Sequence, residues 1–308
     1  MSDRSQLWKS NGKLLITGEY LVMEGANAFA LPINLGQSLS VSSNSNNQLI
    51  WNANMPNGNW FSASLKIPTL EVITTNNIEL SNKLKEILTV ARSLSANSFL
   101  EDAGYDVETN LDFDPEFGFG TSSTLISNIA NWTDVDPYVL LEKTFGGSGY
   151  DIACARSNKP ILFQKLNDTV KVAEIEFDPD FKDNLYFVYL GSKQISSQEI
   201  SNFRKNCNFN SFDIDSISAI TDEIIKASDL AEFEDLISEH ECIISKILKV
   251  ETAKELHFPD FPGAIKSLGA WGGDFVLVTS QDSEKNFRRS MRKYGFDTLY
   301  TFNDLIIV

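Results

Sequence analysis

The chain has 308 residues, 42% of them hydrophobic, and a formal net charge of −16 from 42 acidic and 26 basic side chains. That length buries a large core and suits two domains, and the hydrophobic share is that of an ordinary soluble protein. The charge excludes a nucleic-acid or anionic-membrane surface as the main partner, since both reward a basic face. An anionic small ligand would need local correction by a lysine or a metal ion.

The start, MSDRSQLWKSNGKLLITGEY, has no apolar stretch long enough for a signal peptide, because Leu14 to Ile16 is interrupted by Thr17, Gly18 and Glu19. No run of 18 apolar residues follows, so no membrane span is expected. Cys154, Cys207 and Cys242 are an odd number with no close pair, which suits a reducing, cytoplasmic setting. His240 and His257 are the only histidines, too few for a histidine-rich metal site, and His240 sits in a helical pattern as a structural residue.

From Lys13 to about Ile67 the chain reads as strands: KLLITG, YLVME, AFALPI, SLSVSS, QLIWNA and WFSASLKI. The polar cluster NSNNQ and the turn MPNGN separate the later runs as in a meander, with the cluster at a hairpin tip. Leu80, Leu84, Ile87, Leu88, Ala91 and Leu94 mark an amphipathic helix. The strand YDVETNLDF leads into PEFGFGTSSTL, where Leu125, Ile126, Ile129 and Ala130 recur at helical spacing, so a helix begins near Ser122. Another helix covers YVLLEKTF. FGGSGYDIACA, PILFQ and the strand VAEIEF follow, and the turn formers and charges of DPDFKDN, Asp178 to Asn184, place a domain boundary there. The expected domains are 1–180 and 181–308. The second half reads as the strand LYFVYLG, helices over about 196 to 206, 213 to 228 and 231 to 249, the strand DFVLVTS, a helix around 283 to 293 and a final LIIV. Strands alternating with helix pairs argue an α+β fold.

Four stretches could carry chemistry. Gly118 and Gly120 followed by Thr121, Ser122 and Ser123 fit an anion cradle, because glycine lets backbone amides approach a phosphate and the helix start adds favourable partial charge. The same residues fit a plain glycine turn with a helix cap. The stretch is neither a Walker A loop, which requires a lysine after the last glycine, nor a dinucleotide fingerprint, since Ser123 holds the third glycine position. Lys13 enters a strand beside Gly12, a common place for an exposed lysine. Asp151 follows the glycines of GGSG, where it serves as a turn former or helix cap or, beside a phosphate cradle, as a base or orienting residue. KSLGAWGGDF is a second glycine-rich turn before an apolar strand.

In order and approximate spacing, GKLLITGEYLVMEGANAFALPI, GFGTSS, GGSGYDIA and KSLGAWGGD resemble the motifs of the GHMP kinase superfamily over residues 12 to 275. Within it the chain looks most like the phosphomevalonate kinase branch: GEY stands where mevalonate kinases have Gly-Glu-His, and GGD resembles the phosphomevalonate kinase ending of the third motif. GGSGYDIACA also resembles a bacterial subgroup marked by Gly-Tyr-Asp-Ile-Ala. The resemblance implies a two-domain α+β fold, with an N-terminal ATP-binding domain like ribosomal protein S5 domain 2, a ferredoxin-like C-terminal domain and the active site between them. It implies an ATP- and Mg²⁺-dependent kinase of a mevalonate-pathway intermediate, phosphomevalonate kinase-like, with mevalonate kinase as the alternative. A non-catalytic GHMP-like binding or regulatory protein is the alternative of another class. A diphosphomevalonate decarboxylase shares the fold but generally lacks the lysine that Lys13 supplies.

By the same resemblance Lys13 and Asp151 are catalytic, and Gly118, Gly120, Thr121, Ser122 and Ser123 hold the ATP phosphates. Ser122 and Glu142 are implied metal contacts, although a solvated helix glutamate explains Glu142 as well. Acceptor contacts fall to Glu19, Tyr20, Ser148, Gly149, Ser196, Gly269, Ala270 and Asp274, with Lys193, Ser197 and Arg156 as weaker candidates. The partners implied are ATP and a small acceptor, without nucleic acid or membrane, and a homodimer is compatible with the superfamily. Two departures stand out: GFGTSS replaces Gly-Leu-Gly-Ser-Ser-Ala, and Trp271 replaces a glycine, where its ring either narrows the acceptor pocket or packs beneath it.

Overall fold

A computed structural model describes residues 5–308 except 98–99, 101–102, 168, 192–202, 204, 206 and 272–273. The helix expected over about 196 to 206, including Ser196 and Ser197, falls largely outside the described residues, as does Lys193. The chain divides into two compact units. The first comprises residues 1–12, 35–115 and 119–156, and the second residues 13–34, 116–118 and 157–308. The boundary expected at Asp178 to Asn184 lies inside the second unit. Strands β1 (Gln6–Thr17) and β2 (Ala28–Asn44) each begin in one unit and end in the other.

The first unit is a sheet covered by helices. β3 (Gln48–Met55), β4 (Gly58–Lys66), β5 (Glu71–Thr75), β6 (Gly104–Leu111) and the C-terminal part of β2 run in the order β5-β4-β3-β6-β2. MPNGN does turn a hairpin between β3 and β4. NSNNQ does not: β6 pairs with both β2 and β3 and separates them, so the expected meander is corrected at this point. Period-2 alternation carries Leu49, Trp51 and Ala53 on β3 and Phe61, Ala63 and Leu65 on β4 to one buried face. Against it pack Leu84, Ile87, Leu88 and Ala91 of helix α1 (Ile78–Leu94), together with Ile126, Ile129 and Ala130 of α2 (Thr121–Thr133). Helix α1 starts where the Asn77 side chain accepts the Glu79 and Leu80 N–H groups. Helices α3 (Pro137–Thr144) and α4 (Tyr150–Ala155) add Leu140, Leu141 and Ile152 to the same core. Each such side chain contributes about 1.5–3 kcal/mol by leaving water.

In the second unit the N-terminal part of β2 pairs antiparallel with β7 (Ile161–Leu166), and β7 with β8 (Thr169–Glu174). AFALPI and SLSVSS are therefore one continuous strand. YLVME, expected as a strand, is a 3-10 turn over Leu21–Glu24, because Gly18 and Tyr20 both take positive φ and end β1. A separate antiparallel sheet has the order β10-β11-β9-β12, built from β9 (Leu185–Tyr189), β10 (Ile265–Ser267), β11 (Phe275–Thr279) and β12 (Leu299–Thr301). Helices α5 (Ser211–Ile224), α6 (Leu230–Leu248), α7 (Ala253–His257), α8 (Glu284–Lys293) and the short α9 (Phe302–Leu305) complete the unit. Tyr186, Val188, Val276 and Val278 of the sheet pack on Phe258, Phe261, Phe287 and Met291. The final LIIV spans the end of α9 and a single antiparallel bridge from Ile306 to Ile33. Among the described residues no helix is long and apolar enough to cross a membrane. Cys154 is buried, Cys207 half-buried and Cys242 exposed, and no disulfide links them to one another.

Candidate active site

In the first unit, Gly120 caps α2 in a left-handed conformation, φ 94°. The Thr124 N–H and the Ser123 hydroxyl both donate to the Gly120 carbonyl, at 2.9 and 2.8 Å. Ser122 is exposed, whereas Thr121 Oγ1 is buried without a hydrogen-bond partner in the described structure. A buried orphan hydroxyl beside the first amides of a helix is a donor set suited to phosphate oxygens. Phe119 anchors the loop: it is fully buried and meets Phe113 edge-on at 5.5 Å.

Gly149 caps α4 with φ 91°, and a side chain there would meet the Tyr138 ring at 3.0 Å. Asp151 occupies the first turn of α4, half-buried, with Oδ1 accepting the Ile152 N–H at 3.1 Å. Ser148 is buried just before it. Burial, with smaller help from the Asp136 and Asp151 carboxylates, pushes the Tyr138 phenol up against the opposing charge of Arg156. Arg156 donates to Asn131 Oδ1 at 2.8 Å. Glu142 is exposed on α3. Among the described residues no group of three or more His, Cys, Asp or Glu side chains could hold a metal by itself. Hydroxyl and single carboxylate donors fit Mg²⁺, which keeps waters and takes most of its ligands from bound phosphates.

In the second unit, half-buried Lys13 donates from Nζ to the Gly118 carbonyl at 2.9 Å. Gly118 has φ 69°, and a Cβ on it would lie 2.5 Å from Asp274 Oδ2, so backbone and carboxylate approach as only glycine permits. Lys13, Phe117, Gly118, Gly269 and Asp274 line a small cleft. Phe117 seats this loop against the rings of Tyr189 and Phe275, at 4.9 and 5.7 Å.

A larger cavity of about 340 Å³ shares Leu268, Asp274 and Phe275 with that cleft. Tyr20, Ala270 and Trp271 also line it. Trp271 is 7% exposed, is one of these lining residues, and its backbone N–H donates to Tyr20 Oη at 3.3 Å. Tyr20 holds a left-handed φ of 62°, uncommon for a bulky residue, and stacks on Phe203 at 5.1 Å. Glu19 lines neither cavity. It is fully buried, and Lys266 Nζ donates to its Oε1. Lys266 also donates to the Ser267 carbonyl at 2.9 Å and lies 4.0 Å from Glu241. Glu241 accepts the Ser267 N–H and hydroxyl. His240 Nε2 accepts the Gly18 N–H at 3.0 Å and stands 3.4 Å from Glu19 Oε2. Desolvation pushes Glu19 up to about 7, raises Glu241, and holds His240 well below its usual value. The sequence reads Lys266 as part of a glycine-rich turn and His240 and Glu241 as helix residues, so their cluster around Glu19 was not legible there.

No protein-family model matches the chain, and no curated protein matches it in sequence. Solved structures do match. Mevalonate kinase from Methanococcus jannaschii covers 100% of both chains at 15% identity with a TM-score of 0.74. Phosphomevalonate kinase from Streptococcus pneumoniae, in complex with phosphomevalonate and AMPPNP, matches at 14% identity over 96% of this chain and 99% of its own, with a TM-score of 0.73. Galactokinase from Lactococcus lactis, complexed with galactose, matches at 12% identity over 99% and 94%, with a TM-score of 0.70. The chain has the mixed α+β fold of the GHMP kinases.

Proposed function

We propose that the protein is an ATP-dependent small-molecule kinase of GHMP type. The observation that carries this reading is the Lys13 ammonium bound to the Gly118 carbonyl in a cleft that also contains Asp274. A fixed cation beside a glycine loop is what phosphoryl transfer asks for, since catalysis of that reaction is mostly positioning and neutralisation of charge on the equatorial oxygens.

In this reading the amides and hydroxyls of residues 118 to 123 bind the ATP phosphates, with Thr121 Oγ1 supplying the buried hydroxyl. Bound Mg²⁺, held by Ser122 with Glu142 as a further contact, would draw charge off the transferring group. Lys13 stabilises that group as the acceptor oxygen bonds to the γ-phosphorus and the bond to the β,γ-bridging oxygen breaks, leaving ADP. Asp151 takes the proton of an alcohol, or orients a phosphate acceptor, which with a second pKa of about 6 needs little base catalysis. Gly269, Ala270, Ser148, Gly149 and Tyr20 are proposed acceptor contacts. Glu19 is proposed to act through Lys266 rather than by touching the acceptor. The motif spelling favours a mevalonate-pathway intermediate, phosphomevalonate first and mevalonate second. The cytoplasm is the proposed setting.

The test is ADP release from purified protein with Mg-ATP against mevalonate, phosphomevalonate, mevalonate diphosphate, homoserine and galactose, with CO₂ followed in parallel. Acceptor-dependent ADP without CO₂ is the expected result. ATP binding with no acceptor-dependent ADP would overturn the kinase reading.

A further inference from the structure

We propose that Gln37 and Thr124 are positioning residues for the phosphate-binding loop, their buried contact fixing the first turn of α2 where it meets the phosphates of ATP. This role rests on the kinase reading and adds to it two side chains that act through the loop without touching the nucleotide.

Helix α2 buries two faces of opposite character. Ile126, Ile129 and Ala130 lie in the apolar core, whereas Thr124, Ser127 and Asn128, three and four residues apart, form a polar stripe that is also fully buried. Opposite the stripe stand Ser10 of β1 and Gln37 of β2, each 2% exposed. The Thr124 hydroxyl donates to Gln37 Oε1 at 2.9 Å, and Asn128 Nδ2 donates to the Gln37 carbonyl at 2.9 Å. Ser10 Oγ lies 2.8 Å from Ser127 Oγ and 2.9 Å from Asn128 Oδ1. A side chain on Gly36 would collide with the Ser10 carbonyl, so the two strands meet closely beside Gln37.

Polar side chains cost more to bury than apolar ones, and a fully bonded network gives in return one fixed register where an apolar contact tolerates sliding and rotation. The register held here is that of the phosphate loop. Thr124 Oγ1 lies 3.1 Å from the carbonyl oxygens of both Gly120 and Thr121, and the Thr124 N–H donates to the Gly120 carbonyl. Gly120 caps the helix, and Thr121 carries the buried hydroxyl assigned above to a phosphate oxygen. Amides that bind a phosphate must hold their places to within about 0.5 Å, and the loop's own glycines supply no stiffness. Gln37, on a strand, supplies it through Thr124.

The test is calorimetric titration of the full chain with Mg-ATP, with melting temperatures measured alongside. Gln37→Leu and Thr124→Val, similar in size but unable to form the bond, are each expected to weaken Mg-ATP binding roughly fivefold to tenfold. If Gln37→Leu does not fold, Thr124→Val carries the test alone. Thr124→Ser, which keeps the hydroxyl, is expected to bind within about twofold of wild type. Ile126→Val trims the apolar face of the same helix and is expected to lower the melting temperature while leaving Mg-ATP binding unchanged. Unchanged binding in either folded variant that lacks the bond overturns the positioning role and leaves the kinase reading standing. An equal loss in Ile126→Val also overturns it, since any loosening of the helix would then weaken the site. Wild type that binds no Mg-ATP overturns the kinase reading and the positioning role together. Weakened binding in the two variants, with no acceptor-dependent ADP from wild type, supports the positioning role and overturns the kinase reading.

Discussion

Lys266 donates its ammonium to the Glu19 carboxylate across 247 residues of sequence, and both side chains are wholly buried. The pair ties the turn that ends β1 to the strand preceding the second glycine-rich turn, and Tyr20 and Trp271 follow these two anchors. A buried ion pair is costly to form and costlier to break, because the surviving charge keeps its desolvation penalty without its partner. Lys266→Met, which leaves Glu19 and Glu241 facing each other, is expected to lose about 3–5 kcal/mol of stability in urea unfolding. A loss below about 1 kcal/mol would show that the cluster relaxes into water.

The same cluster sets a pH dependence. Burial raises Glu19 to about 7 in the folded protein against an ordinary 4.5, so the native state binds the extra proton in between. Its contribution to stability is full below about 4.5 and is lost as pH rises through about 7. His240 has the opposite sign, its depressed value costing stability as pH falls below 6.5. The stability of wild type relative to Glu19→Gln is expected to fall between pH 5 and 8 in urea titrations. A constant difference would mean that Glu19 does not titrate there.

Lys13→Met is expected to cut acceptor-dependent ADP release at least about a thousandfold, roughly 4 kcal/mol of barrier, while the melting temperature changes little. Asp151→Asn should cost a similar factor with an alcohol acceptor. Wild-type rates from either folded variant would count against both assignments.

Gly118→Ala places a Cβ 2.5 Å from Asp274 Oδ2 on a backbone with φ 69°. The left-handed backbone alone costs about 1–2 kcal/mol. Adding Asp274→Ala should recover only the part of the loss due to the clash, which paired thermal melts would separate.

Tyr20→Phe removes the hydroxyl that accepts the Trp271 N–H. One such bond is worth about 0.5–1.5 kcal/mol, so the acceptor KM should rise roughly threefold to tenfold with kcat nearly unchanged. Equal falls in kcat and kcat/KM would instead put the hydroxyl in the reacting geometry.

Most elements were legible because their cause is local. Helix α1 announces itself through Leu84, Ile87, Leu88 and Ala91, which the structure buries, and MPNGN turns a hairpin through its own backbone preferences. The glycines and hydroxyls of GFGTSS point to a helix start, and α2 begins there, while Asp151, read as a turn former or helix cap, falls in the first turn of α4. Pairing was less legible. NSNNQ joins β2 to β3, but β6, about fifty residues on, takes the place between them, a choice made by sheet assembly rather than by the turn.

By itself, then, the sequence determined where helices start, which faces are apolar, and which glycines, hydroxyls, lysine and aspartate are available to a phosphate-handling site. Those properties follow from backbone freedom and hydrophobic period within one segment. Tertiary structure alone decided that Glu19 is buried against Lys266 instead of lining a pocket, that Trp271 forms a cavity wall, and that the described charged side chains of that wall are acids. Burial of a polar group is settled by what packs over it, and here its partners lie more than two hundred residues away along the chain.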